Sequence, residues 1–250
     1  MYVIAIPSYR RASLCNDKTL TMLSKHHIPK NIINVYVVEE ELDVYQKTLQ
    51  PHLYHKLIVG KKGLVQQREF IQSQYPEGQC IVFLDDDIDS VDLSLSTYTS
   101  LSTFLKDAFQ ITKQHHAYLW GVYPVFNPFF RKPRKPIETC LNYIVGAFYG
   151  IINRNLPSLR LTTTRNGQKE DVERTIRYFK EDGIVIRFSK IGFVTQYYGK
   201  EGGLGTFEKR LSLMKTASQR LKKKYPLYGE IKTKKSGMTE FRLHKTIKKY

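Results

Sequence analysis

An open α/β sheet, mainly parallel and flanked by helices, is the fold class that this sequence predicts, and three observations predict it. Short apolar, β-rich runs alternate with helical segments along most of the chain. The first runs are continuously apolar, the pattern of strands buried on both faces of a parallel sheet. Polar and charged residues gather at the carboxyl ends of these runs, where ligands of open α/β sheets bind. The 250 residues, 41% hydrophobic and 12% aromatic, suffice for one large folded domain and argue against disorder.

The elements follow in order. "YVIAIP" (2–7) reads as a strand ended by Pro7, and polar "SYRRASLCNDK" leads into a helix over "TLTMLSKHH". "NIINVYVVEE" is a second buried strand ending in acids, residues 42–50 are helical, and "HKLIVG" is a third strand. "LVQQREFIQSQY" is a helix stopped near Pro76, and "QCIVFLDDD" is the fourth strand, running straight into Asp85, Asp86 and Asp87. Residues 99–117 are an amphipathic helix. "AYLWGVYPVFNPFF" is too aromatic and too Pro-broken for a regular helix, and "RKPRKP" (131–136) reads as a basic loop. "YIVGAFYGIIN" is a strand candidate, "KEDVERTIRYFKEDG" a helix with Gly183 past its end, and "IVIRFSKIGFVTQYY" one or two further strands. After Gly-rich "GKEGGLGT" the composition changes, which divides the chain into an α/β domain, 1–205, and a basic, partly helical extension expected to pack on it, 206–250.

The charge is the unusual bulk property: 40 Lys and Arg against 23 Asp and Glu, a formal +17. Residues 209–250 hold 14 basic and 2 acidic side chains, so a balance of +12 lies there and only +5 in the rest. Such an excess attracts polyanions, nucleic acid first and anionic membrane second. The three cysteines, Cys15, Cys80 and Cys140, are far apart and form no C-x-x-C pair, which argues against a disulfide scaffold or a thiolate zinc site. No stretch approaches the roughly 18 apolar residues of a membrane span. The opening "MYVIAIPSYRR" lacks a signal-peptide pattern, so a soluble, cytoplasmic protein without a membrane partner is expected.

Three adjacent carboxylates at a strand end repel one another, and such clusters usually hold a cation. Strand alternation puts Asp85 and Asp87 on one side and turns Asp86 away, although all three can turn toward one site past the strand end. Hard oxygen donors suit Mg²⁺ or Mn²⁺ with further ligands from a diphosphate. A solvated acidic turn is the competing reading.

"VIAIPSYRR", the acids ending the second strand, "GKKGLVQQRE", "FLDDDID" and "EDVERTIRYFKEDGI", in this order, resemble the GT-A fold of nucleotide-sugar-dependent glycosyltransferases over roughly residues 1–200. The fold then expected is a GT-A-like open mixed, mainly parallel sheet with a basic C-terminal extension. Within that fold, "IPSYRR" and the DDD triplet most resemble the TET/JBP-associated glycosyltransferases of bacteriophages and kinetoplastids. Those enzymes are thought to glycosylate hydroxymethylated pyrimidines in DNA. For a phage-encoded enzyme the compartment would be the host cytoplasm.

The resemblance implies roles residue by residue. Pro7, Ser8, Tyr9 and Arg10 would wrap the nucleotide of a UDP-sugar or similar donor, and Glu39 would bind base or ribose. Arg68 would face the diphosphate or base, Asp85 and Asp87 would hold Mn²⁺ or Mg²⁺, and Asp86 would touch ribose or sugar. Asp171, with Glu170 beside it, would be the base of an inverting transfer. Each has a plain alternative: a core-edge aromatic at Tyr9, an exposed acid at Glu39, a helix salt bridge at Arg68, and acids favoured by a helix N-terminus at Glu170 and Asp171.

Three further features carry open readings. "YYGKEGGLGT" is either a phosphate-cradling loop or a hinge. "WGVYPVFNPFF", with Trp120, is either an acceptor pocket or core. In the extension, Leu211, Met214, Ser218 and Leu221 form a helical stripe that can dock while lysines face outward. The basic segment 209–250, together with Arg131, Lys132, Arg134 and Lys135, is the expected DNA-binding surface, against the reading of a solvated charged face. His52 and His55 suit a solvated helix face, and His244 is left outside the metal set. A transferase of the same fold acting on a glycan or lipid-linked acceptor, and a non-enzymatic DNA-binding protein, are the rival functions.

Overall fold

The structure, a computed structural model, describes residues 1–195, 207–234 and 236–244. Its centre is an eight-stranded sheet in the order β3-β2-β1-β4-β8-β6-β9-β7. The expected apolar runs form β1 (Tyr2–Pro7), β2 (Ile33–Val37), β3 (Lys56–Val59) and β4 (Cys80–Leu84). These four are parallel neighbours. β8 (Phe148–Ile152) is antiparallel to both β4 and β6 (Leu119–Val122), whereas β6 and β9 (Ile186–Phe188) are parallel. β7 (Ile137–Glu138) closes that edge antiparallel to β9. β5 (Ser90–Asp92) pairs with β10 (Gly192–Val194) outside the main sheet.

The helices lie where the periodicity puts them, with one irregularity. α1 (Ala12–Leu14) and α2 (Thr21–Lys25) are joined by a π-helical turn, Cys15–Leu20, so the helix begins inside the stretch read as a polar lead-in. α3 (Leu42–Thr48), α4 (Leu64–Ser73) and α5 (Leu101–Gln114) follow, and a short α6 (Pro128–Arg131) opens the basic loop. α7 spans Glu170–Asp182 and stops at Gly183, whose φ of 73° supplies the left-handed cap that a side chain would strain. No helix among the described residues is long and apolar enough to cross a membrane.

Successive residues of each central strand enter opposite cores, which explains the unbroken apolar runs. Ile4, Ile6, Val35, Val37, Val82 and Leu84 pack on one side, and Ala5, Tyr36, Ile81 and Phe83 on the other. Trp120 belongs to the first core: it is fully buried in β6, edge-on to Phe104 at 5.7 Å and Phe109 at 5.4 Å. Its place is therefore in the packing and not in an acceptor pocket.

The C-terminal segment has more structure than its charge suggests. α8 (Phe207–Lys224) buries Met214, Ala217, Ser218 and Leu221, with Leu211 half-buried at the end of that stripe. The lysine-bearing stretch beyond it folds into a hairpin, β11 (Gly229–Thr233) with β12 (Thr239–Leu243). Leu221, Tyr225 and Phe241 form a third core with Val172 and Ile176 of α7. The Gly-rich run 197–206 and residues 245–250 lie outside the described residues.

One buried carboxylate binds three parts together at this junction. Glu173, fully buried on α7, accepts from the backbone N–H groups of Thr162, Thr163 and Thr164, from Arg177 Nε at 3.0 Å and from Tyr225 OH at 3.0 Å. Burial opposes its ionisation, but the hydrogen bonds from Thr164 and Arg177 outweigh this and hold its carboxyl below the ordinary value. A depressed carboxyl stabilises the fold above its unfolded pKa, and that stability is lost as pH falls through the folded value. Glu173→Gln therefore lowers stability by about 3 kcal/mol at neutral pH. In urea melts across pH, the gap between wild type and variant narrows below about pH 4.

Candidate active site

Past Leu84 the strand ends and the chain turns at Asp86 and Asp87, so the pleat no longer dictates where the carboxylates point. Thr19, in the π-helical turn, fixes this corner: its hydroxyl donates to Asp85 O at 2.7 Å and accepts from Ile88 N at 2.9 Å. Asp86 accepts from Ser8 Oγ at 2.5 Å, and Ser8 also bonds Tyr45 OH at 2.6 Å. Arg11 Nη1 reaches both Asp86 Oδ1 at 3.3 Å and Asp87 Oδ2 at 3.0 Å, and Thr195 donates to Asp87. Asp85 instead faces Arg68, whose Nη2 lies 3.0 Å from its Oδ1. The expected grouping of Asp85 with Asp87, and Asp86 apart, is thus replaced: Asp86 and Asp87 share Arg11, and Asp85 pairs separately.

Burial, more than mutual repulsion, works against the ionisation of these carboxylates. Burial, opposed by Arg68 and reinforced by Asp87, Asp86 and Glu170, pushes the Asp85 carboxyl up to about 7, even though 37% of its side chain is exposed. Burial pushes Asp86 up to about 6 against the pull of Arg11 and Ser8, and Asp87 is raised as well. An all-oxygen set of carboxylates is the donor chemistry that suits a hard divalent cation. Among the described residues no group of three or more His, Cys, Asp or Glu side chains is arranged to hold a metal ion, and these carboxylates face Arg11 and Arg68.

Arg68 is the hub of the site. From α4 it donates to Glu170 through Nη1, and to Asp85 and Gly146 O through Nη2, the last at 2.7 Å. Its guanidinium carbon lies 5.4 Å from the Tyr149 ring centroid. Gly146 is required here, because a Cβ would come within 2.7 Å of Glu170 Oε1. Arg68 therefore spends its hydrogen bonds within the protein, where a fork toward the diphosphate was expected. Glu170 corrects the expectation in the same way: it is 3% exposed, and its oxygens are taken by Arg68 and by Arg174 Nη1 at 2.7 Å. Asp171 differs. It is half-buried on the cavity wall, with Tyr143 OH donating to its Oδ2 and Gly146 N at 3.4 Å.

A cavity of about 1100 Å³ lies across the carboxyl ends of the strands. Pro7, Ser8, Tyr9, Arg68, Asp85, Asp86, Asp87, Glu170 and Asp171 all line it. Arg10 and Glu39 do not. Arg10 has φ 56°, which reverses the chain and turns its exposed side chain toward Glu41, so Arg11 enters the site in its stead. Glu39 opens an exposed 3₁₀ turn beyond β2, and Val38 lines the cavity at that point. Sequence reasoning also missed Lys61 and Lys62, which precede α4 in "GKKG", and it put Arg210, Lys234 and Arg242 in a DNA-binding surface without bringing them onto this wall.

Of the four basic residues expected to meet DNA, Arg131 is fully buried, with Asp92 and with Phe126 O at 3.0 Å and Lys190 O at 2.8 Å as its partners. It holds the loop and cannot reach a phosphate. Arg134 lines the cavity beside Tyr123, and Lys132 and Lys135 are exposed.

No protein-family model and no curated protein sequence matches this chain. Solved structures do. Glucosyl-3-phosphoglycerate synthase from Mycobacterium tuberculosis, in complex with Mn²⁺, uridine-diphosphate-glucose and phosphoglyceric acid, aligns over 96% of this chain and 86% of its own, at 9% identity and TM-score 0.51. A mycobacterial protein aligns over 97% and 84%, at 8% identity and TM-score 0.50. The fold is GT-A-like. S. aureus TarS 1–349 with UDP aligns over 89% of this chain and 66% of its own, at 15% identity and TM-score 0.49. In another of its structures this chain spans 65% of TarS 1–349.

The Arg68 network yields a stability test. Arg68→Met leaves Asp85 and Glu170 without their shared counter-ion and destabilises by about 3–5 kcal/mol. The double variant R68M/E170Q loses clearly less in urea denaturation than the two single losses added together.

Proposed function

We propose that this chain is a metal-dependent glycosyltransferase that moves a sugar from a nucleoside-diphosphate donor to a hydroxymethylated pyrimidine in DNA. One observation carries the reading: a single cavity is walled both by the carboxylates at the end of β4 and by Asp171 at the start of α7, and Arg68 ties the two walls together. The GT-A-like fold, shared with a synthase whose structure holds Mn²⁺ and uridine-diphosphate-glucose, supports the donor class. UDP-sugar is the donor this favours.

Asp85 and Asp87 would hold Mn²⁺ or Mg²⁺, and a bound ion would neutralise the diphosphate as it leaves. Pro7, Ser8 and Tyr9 form the donor wall, with the half-buried Tyr9 ring offered to the nucleotide base and Lys62 Nζ 5.8 Å from its centroid. Asp86 is locked by Ser8 and Arg11 and orients that wall. At the other wall, Asp171 takes the proton of the acceptor hydroxyl while the acceptor oxygen bonds C1 and the C1–O bond to the diphosphate breaks. A hydroxymethyl group is too weak an acid to ionise alone near neutrality, so the transfer needs this base. Tyr143 and Gly146 N hold Asp171 Oδ2 in place. One displacement of this kind inverts the configuration at C1.

The DNA acceptor is supported by the sign and location of the charge. The +17 chain carries most of its excess in residues 209–250, and Arg210, Lys234 and Arg242 of that segment reach the cavity wall. Phosphate contacts of this kind confer affinity and leave base choice to the pocket. A substrate that presents both a polyanionic backbone and a primary hydroxyl meets both halves of the site.

The test is transfer from a panel of nucleotide sugars, with Mn²⁺, onto DNA with and without hydroxymethylcytosine. Sugar appears only on the hydroxymethylated DNA; equal labelling of plain DNA, or labelling of neither, refutes the acceptor. Asp171→Asn slows transfer roughly a hundred- to ten-thousand-fold and keeps the thermal shift given by donor plus Mn²⁺. The D85A/D87A variant loses that shift. An Asp171→Asn enzyme with wild-type turnover would remove Asp171 from the chemistry.

A further inference from the structure

The segment that continues from the cavity wall holds aromatic side chains out in water. Tyr123, Pro124 and Val125 line the cavity, and directly after them Phe126, Phe129 and Phe130 are 43%, 74% and 48% exposed. A phenylalanine left in water forgoes roughly 1.5–3 kcal/mol of burial, so three of them on one short loop call for a partner. The loop is not loose. Asn127 accepts from Phe129 N at 2.9 Å, and the buried Arg131 ties Phe126 O to Lys190 O and Asp92 beneath it. The Phe129 and Phe130 rings meet edge to face at 5.3 Å, presenting one stiff apolar tip.

The charge around this tip narrows the partner to a polyanion. Lys132 and Lys135 are exposed beside it, Lys190 bonds Lys132 O, and the nearby acids Asp92 and Glu138 are already bonded to Arg131 and Arg187. Its shape separates nucleic acid from an anionic bilayer. Lying in a membrane interface takes a broad apolar helix face, and the outward side of α8, whose inner side meets the same cavity, offers Lys215, Arg220 and Lys223 with Leu213. A wedge into stacked bases needs only one or two aromatic side chains with cations alongside for the phosphates.

We propose that Phe129 and Phe130 form a wedge that enters the base stack of duplex DNA beside the cavity, with Lys132 and Lys135 on the flanking phosphates, so that the displaced pyrimidine is presented to the site. This rests on the DNA-acceptor reading above and adds how the acceptor is opened. Unstacking the target base is the step by which a group inside a duplex reaches an enclosed site.

The experiment uses the full chain and a short duplex containing hydroxymethylcytosine, with aminopurine as its neighbour to report unstacking. The variants are F129A/F130A and, as an exposed apolar control away from the loop, L227A. Wild type and L227A bind the duplex and raise aminopurine fluorescence. F129A/F130A binds roughly ten- to a hundred-fold more weakly and loses the rise, while its melting temperature stays close to wild type. Unchanged affinity and fluorescence in F129A/F130A overturn the wedge. Loss of binding to phosphatidylserine vesicles in that variant, with duplex binding intact, overturns it in favour of a bilayer. Phe-dependent unstacking in a wild-type protein that transfers no sugar upholds the wedge and removes the transferase reading instead.

Discussion

The site depends on one buried cation. Arg68 joins α4 to the end of β4 through Asp85, to the first residue of α7 through Glu170, and to the strand lead-in at Gly146. Two carboxylates that close cannot both stay ionised in a desolvated setting without a counter-charge. A planar guanidinium meets them in fixed directions, which a lysine ammonium would not do. The distance between the acidic strand end and Asp171 is thereby set by covalent geometry and hydrogen bonds. The site consequently has a rigid back wall, and Gly146 is the concession the backbone makes to it.

A second junction carries that rigidity outward. Glu173, one turn along α7 from Glu170, gathers the 162–164 backbone, Arg177 and Tyr225, so the loop leading into α7 and the C-terminal helix are pinned to the same helix. Val172, Ile176, Leu221 and Phe241 add an apolar seam. The C-terminal segment is thus held against the helix that carries Asp171, and its Arg210, Lys234 and Arg242 become part of the cavity instead of a loose basic tail. Charge that composition places in that segment acquires a direction from this packing.

Burial of charge marks the boundary of what the sequence disclosed. The unbroken apolar strands, the helix at 170–182 and its Gly183 stop were legible because periodicity and caps are local properties. The placing of Asp171 with Asp85, Asp86 and Asp87 on one cavity came from the resemblance of the motif order to the GT-A fold and not from any local pattern. The partners were not legible. Nothing local distinguishes Arg10, turned out by a positive φ, from Arg11, turned in, or exposed Lys132 from buried Arg131. Those differences are set by residues distant in sequence, such as Asp92 beneath Arg131 and Glu41 beside Arg10. The β11–β12 hairpin was hidden for a related reason: Glu230, Ile231, Lys232 and Thr233 run exposed along β11, and the buried positions are Gly229, Thr239 and Phe241, too few to mark a strand pattern.

The division of labour between arginine and lysine then bears on recognition. Arg68, Arg131, Arg174, Arg177 and Arg187 are all buried and paired with carboxylates, so they contribute structure and little external field. The exposed excess is largely lysine, a hydrated point charge that meets phosphate without the fork geometry needed to read a base edge. On the proposed function such a surface would attract a polyanion without choosing among sequences. On that function, choice of acceptor would come from inside the cavity, from whether a hydroxyl can reach Asp171 while the donor occupies the carboxylate wall. A chain built this way would select a chemical group along a polymer and remain indifferent to its sequence, and the stiffness imparted by Arg68 and Glu173 is what makes such a geometric criterion strict.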